Sequence, residues 1–181
     1  MKTGIPVFME TGATEPQLSL GEIAKVLRMP DSTIRGWLAR GYFGLRRGDD
    51  QKRKTEGLAH AISLSTALWV GAVAELTKFG MPAKRAAQIA RAFILHADVD
   101  QKTEETLRYP AALYPGEGIY TALVAHPGDD EGTIVRFDSK TALAPFFYNE
   151  RSGGRPSALV VWLNFIDRDI RTYLQQRSEG A

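Results

Sequence analysis

Between Ser32 and Lys54 the sequence gathers side chains that bind polyanions. Ser32 and Thr33 supply hydroxyls, and Arg35, Arg40, Arg46, Arg47, Lys52, Arg53 and Lys54 supply cations. A hydroxyl can donate to a phosphate oxygen or a base edge, and a guanidinium can fork onto phosphate or onto the acceptor edge of guanine. The charge is local. Residues 19–60 hold nine basic against five acidic side chains, whereas residues 98–131 hold two basic against eight acidic, so the net +2 of the chain conceals two opposed segments. A polyanion is drawn to the first and repelled by the second.

Few other chemistries are open. With no cysteine, thiolate metal sites, iron–sulfur clusters, disulfides and thiol nucleophiles are excluded. His60, His96 and His126 have neither metal-ligand nor triad spacing. The acidic run Asp129-Asp130-Glu131 lacks the alternating ligands of a calcium loop and reads as a solvated hairpin tip. Gly153-Gly154-Arg155 has no GxxxxGK[ST] context and reads as a connection. The aromatic residues Tyr109, Tyr114, Tyr120, Phe146, Phe147, Tyr148 and Trp162 suit a core better than a ligand pocket. No nucleophile, base and orienting group occur together. No catalytic residue, metal ligand or cofactor is therefore expected, and the chain does not read as an enzyme.

The 181 residues, 44% hydrophobic and 24% charged, have the composition of a folded chain. The most apolar stretch, Leu64 to Leu76, is interrupted by Ser65, Thr66, Gly71 and Glu75, so no bilayer span is expected. Met1 to Gln17 has no apolar centre and does not resemble a secretion signal, which points to the cytoplasm.

The pattern around the basic cluster predicts the scaffold that would carry it. Residues 1–17 are aperiodic and read as a mobile arm. Ser19 and Glu22 form a capping box before a helix with Leu20, Ile23, Ala24 and Leu27 on one face, ended by Met29-Pro30. Asp31 or Ser32 caps a second helix in which Ile34, Trp37 and Leu38 recur, with Gly41 as its C-terminal stop. Two short helices joined by about three residues form a helix-turn-helix. Tyr42 to Ala61 reads as a polar hairpin, or wing. A third helix, capped by Ser63 or Ser65, runs to about Phe79 and stops at Gly80, and a fourth runs from Met81-Pro82 to about His96. Beyond residue 97, strands are expected at Ile119 to Ala125, Thr133 to Phe137 and Ala158 to Leu163. A last helix is expected from about Asn164 to Gln176, with Phe165, Ile166, Ile170, Tyr173 and Leu174 as its apolar stripe.

Several of these segments resemble one family. Leu18 to Ala24 (LSLGEIA), Ser32-Thr33-Ile34-Arg35 followed by Trp37, then Arg40-Gly41-Tyr42-Phe43 and Arg46-Arg47, are similar to the N-terminal winged helix-turn-helix of the mercury-resistance-regulator (MerR) family. Ile62-Ser63, the helix ending Glu75-Leu76-Thr77-Lys78-Phe79-Gly80, and Met81-Pro82 leading to Ile89 continue the register, so the likeness covers residues 18–95. It implies a dimeric DNA-binding transcriptional regulator in which Arg35 meets phosphate and the helix bearing Thr33 enters the major groove. Gly36 occupies a position where that family often has a DNA-contacting aromatic or histidine. No long dimerising helix follows residue 97, because Asp98, Asp100 and Tyr109-Pro110 interrupt the pattern.

The expected fold is mainly α with a smaller α+β part. An arm at 1–17 precedes a MerR-like winged helix-turn-helix DNA-binding domain at 18–97, and a small C-terminal α+β module at 98–178 dimerises the chain or senses a signal. The expected DNA-binding residues are Ser32, Thr33, Arg35, Gly36, Trp37, Arg40, Tyr42, Arg46, Arg47, Lys52, Arg53 and Lys54. Trp37 suits the core better than base stacking. The expected partners are double-stranded DNA, a second copy of the chain in a homodimer, and a small-molecule or protein effector on the C-terminal module, with no membrane. Two other functions fit the same sequence: a phage-type architectural or recombination accessory factor resembling an excisionase, and an antitoxin-like protein that clamps a partner with its C-terminal stripe.

Overall fold

The computed structural model describes residues 16–45, 60–141, 148–149, 153–154 and 157–180. The chain order is β1 (Pro16–Ser19), α1 (Leu20–Val26), α2 (Asp31–Ala39), β2 (Ala61–Ser63), α3 (Leu64–Lys78) and α4 (Ala83–Leu95). There follow β3 (Asp98–Val99), β4 (Thr106–Arg108), β5 (Tyr120–Ala125), β6 (Thr133–Phe137), β7 (Tyr148–Asn149), β8 (Gly153–Gly154), β9 (Leu159–Trp162) and α5 (Leu163–Glu179).

The architecture is α+β, which corrects the expected mainly α fold with a smaller α+β part. Antiparallel pairs lie in both halves: β1 with β2, β3 with β4, and β7 with β8, beside an antiparallel sheet of order β6-β5-β9. The β1–β2 pair is the part that periodicity could not report. It aligns Leu18 with Ile62 and Ser19 with Ala61, positions far apart in the chain with two helices between them. Pro16 and Gln17, read as the end of the arm, belong to β1, and residues 1–15 lie outside the described residues.

The core is organised around α3, which is buried over nearly its whole circumference, as expected of a helix apolar on every side. Ser63 is its cap, accepting from the Thr66 amide at 3.2 Å. Gly71 marks a close helix approach: a Cβ there would stand 2.5 Å from Ile166 of α5 and 3.4 Å from Leu27 beside α1, so only hydrogen lets the three segments converge. One hydrophobic cluster runs through Ile23, Ile34, Val70 and Phe93 and onward into Leu123, Val161, Leu163 and Ile170. The core therefore crosses the change of sequence character near residue 97. Ala122, Val124 and Val135 form a smaller cluster with Phe137 and Trp162.

In the expected stripe of α5, Ile166 and Ile170 are buried, but Phe165 is 45% exposed, a correction. The helix begins one residue earlier than expected, at Leu163, and Phe165 lies beside Tyr120, with ring centroids 6.0 Å apart, and under the Arg168 guanidinium.

The far end of α5 is fastened to the start of α1. Glu22 accepts from the Ser19 amide at 2.7 Å, Ser19 Oγ accepts from the Glu22 amide at 3.2 Å, and Arg177 donates to the other Glu22 oxygen at 2.9 Å. Burial pushes the Glu22 carboxyl up, but the Ser19 amide and hydroxyl and the Arg177 guanidinium together outweigh it and hold it below its ordinary value. The sign follows from linkage. A carboxylate depressed on folding stabilises the fold above its unfolded value and loses that contribution as pH falls through its folded value. Glu22→Gln keeps the capping box, because a Gln oxygen can still accept from the Ser19 amide, and removes only the charge that meets Arg177; it is expected to cost about 0.5–1 kcal/mol at neutral pH. In urea titrations the deficit should hold down to pH 4.5 and shrink below it. A deficit independent of pH would mean that the Glu22 charge contributes nothing.

Candidate nucleic-acid interface

The helix-turn-helix is built by local rules. The capping box starts α1, and its last turn closes when the Met29 amide donates to the Ala24 carbonyl at 2.9 Å and the Arg28 amide to the Lys25 carbonyl at 3.1 Å. Arg28 sits at φ 54°, the left-handed position that reverses the chain there. Helix α2 ends the same way, with Gly41 at φ 69°, Tyr42 donating to Trp37 at 2.9 Å and Gly41 to Leu38 at 3.0 Å. Its start differs from expectation. Neither Asp31 nor Ser32 caps it; the cap position is Pro30, which offers no side-chain acceptor. Asp31 instead enters the first turn, where its charge suits the helix dipole.

Helix α2 has two faces. Ile34 is fully buried and Trp37 is 5% exposed, both within the main core. Trp37 thus packs the helix down and is not on the solvent side. Ser32, Arg35, Ala39 and Arg40 are exposed, Gly36 lies among them half-buried, and Thr33 is half-buried at their flank. The spacing 32, 35/36, 39/40 is one face of a helix. Arg35 Nε donates to Asp31 Oδ2 at 2.5 Å, so this cation is held along the helix surface with both partners nearly half exposed. Arg40 lies back over Gly36, where a Cβ would meet its guanidinium at 3.9 Å. Gly36 thus leaves room for that guanidinium to rest near the helix backbone, one residue from Arg35. Tyr42 is half-buried and packs at the margin of the core, next to the buried Phe43, whose ring meets Trp69 edge-on at 6.1 Å.

Five of the expected DNA-binding residues, Arg46, Arg47, Lys52, Arg53 and Lys54, lie outside the described residues, as does most of the expected wing.

Away from α2, one residue of consequence went unread in the sequence. Arg108 is 2% exposed. Its Nη1 donates to the carbonyls of Phe93 (3.4 Å), Tyr109 (3.1 Å) and Ala112 (3.2 Å), and Nη2 donates to that of His96. Phe93 and His96 present the last carbonyls of α4, so the guanidinium also neutralises the negative end of that helix dipole. Burial pulls the Arg108 guanidinium below its ordinary value, opposed by Tyr114 and Asp98. Tyr114 donates to Asp98 at 2.5 Å, and burial together with that carboxylate pushes its hydroxyl well up. The signal existed: Arg108 is one of two bases in an acid-rich stretch. This group of residues holds the fold together.

His96 approaches Glu131 at 3.1 Å, and the His126 ring lies 3.1 Å from the Ser157 carbonyl. Among the described residues no three His, Asp or Glu side chains could share a metal ion, and no helix is long and apolar enough to cross a membrane. No protein-family model matches the chain and no curated protein matches it.

Proposed function

We propose that the chain binds double-stranded DNA with α2 as a MerR-like recognition helix, acts as a homodimer in the cytoplasm, and regulates transcription. One observation carries this reading: α2 buries Ile34 and Trp37 while leaving Ser32, Arg35, Gly36 and Arg40 together on its outer face. A helix held from behind and polar in front can enter a major groove, its small residues allowing close approach and its cations reaching phosphates on either side. The dimer would set two such helices about one helical turn of DNA apart, on a pseudo-palindromic site. The antitoxin-like alternative loses its main support, because Ile166 and Ile170 are already buried within the chain's own core.

Fluorescence anisotropy with genomic fragments tests the reading. Affinity should fall linearly on a log–log plot against salt, with a slope close to the number of phosphates neutralised, on the order of −4. No binding at about 50 mM salt would overturn it. Footprinting followed by a promoter reporter decides the role on DNA: a regulator alters transcription from its own site, and an architectural factor protects the site without doing so.

A further inference from the structure

A hollow of about 350 Å³ opens where the α3–α4 turn meets one end of the three-stranded sheet. Phe79, Met81 and Pro82 line it from the turn, Arg85 from the first turn of α4, and His126 and Leu159 from the sheet side. Its walls are mostly apolar. A larger hollow of about 530 Å³ lies between α1, α3 and α5, but its lining mixes Lys25, Arg28 and Lys78 with Glu75 and Asp169, and Lys78 is already held by Glu75 at 2.6 Å.

Three polar features meet in the smaller hollow. Helix α4 is 13 residues long and begins at Pro82 with no side-chain cap, so its first amides keep their attraction for negative charge. Arg85 Nη2 donates to the Asp129 carbonyl at 3.1 Å, which steadies the guanidinium, while its Nε is buried with no hydrogen-bond partner. His126 is 3% exposed, and its Nδ1 faces the Ser157 carbonyl, an atom that can only accept, so the ring is held in one tautomer and orientation. A guanidinium lining a mostly apolar hollow favours an anionic group there, where few other polar atoms compete for it.

We propose that this hollow binds a small carboxylate with an apolar body, its charge received by Arg85 and the start of α4 and its body covered by Phe79, Met81 and Leu159. The occupant would touch both the helical layer and the sheet. This site stands independently of the DNA-binding reading, since occupancy is measured without DNA.

Calorimetry on the full chain, with 3-phenylpropionate and its uncharged amide as probes, tests it. The acid should bind one to one with a Kd of about 1 mM or tighter and at least about tenfold more tightly than the amide. Arg85→Met should bring the acid down to the affinity of the amide, and Arg85→Lys should retain part of the difference. Should Arg85→Met fail to fold, by circular dichroism, amide shifts in the unaltered chain decide: acid titration should move Ala83, Lys84 and Arg85 most. Absence of saturable binding up to about 10 mM, equal affinities for acid and amide, or shifts confined to the α1–α5 hollow would each overturn the proposal.

Discussion

Replacing Arg108 with Met is expected to destabilise the chain by about 3–5 kcal/mol, from buried carbonyls left without a donor at roughly 1–3 kcal/mol each. The cost arises from what is left behind. Four carbonyls now accept from one guanidinium; those of Phe93 and Tyr109 keep a second donor, the Ala111 amide at 2.8 Å and the Ala112 amide at 3.2 Å, and those of His96 and Ala112 lose the donor they have from it. Met fills comparable volume, so the loss isolates hydrogen bonding and the cation's contacts with the Phe93 and Tyr114 rings, 5.8 Å and 5.7 Å from the guanidinium carbon. Urea titration measures it directly, and in a chain of this size the melting midpoint should fall by on the order of 10 °C. Arg108→Lys, which keeps the charge but not the fork, should fall between the two. A loss below about 1 kcal/mol would mean that water replaces the guanidinium at those carbonyls.

Substitutions on the outer face of α2 are expected to divide by role. Arg35→Ala and Arg40→Ala should each weaken binding to specific and random duplexes alike, by about tenfold, and each should reduce the magnitude of the salt slope by about 1, the signature of a lost phosphate contact. Thr33→Ala should reduce discrimination between sites by about 1–3 kcal/mol while affecting random DNA less, if its hydroxyl reads a base edge. The Asp31–Arg35 pair adds a further arm. Phosphate must compete with Asp31 for the same guanidinium, so Asp31→Asn should tighten binding to every duplex severalfold. Equal losses from Thr33→Ala and Arg35→Ala on both kinds of DNA would refute the division. A weaker Asp31→Asn variant would mean that the carboxylate positions Arg35 instead of competing for it.

The helix-turn-helix was legible because its instructions are local. Ser19 and Glu22 lie one helical turn apart, Gly41 and Gly80 each stand where a helix must reverse, and Ile34 and Trp37 repeat at helical spacing. The cap of α2 was misread for an equally local reason. A proline before an acidic residue leaves both Asp31 and Ser32 eligible as caps, and the choice depends on where Asp31 finds its partner, which is Arg35. The mainly α expectation failed on strands of two to four residues, too short to show any alternation.

From the sequence alone came the helices and most of their ends, the two faces of α2, the hairpin of β5 and β6, and the chemistry that the absence of cysteine forbids, since each depends on residues close together along the chain. Tertiary structure alone decided that β1 pairs with β2, that α5 closes over α3 at Gly71 and ties back to Glu22, that Arg108 is buried, and that Arg85 and His126 share a hollow. Those contacts join residues far apart in the chain. No short-range pattern reports them, because the energy that selects them comes from surfaces that exist only after the helices have formed.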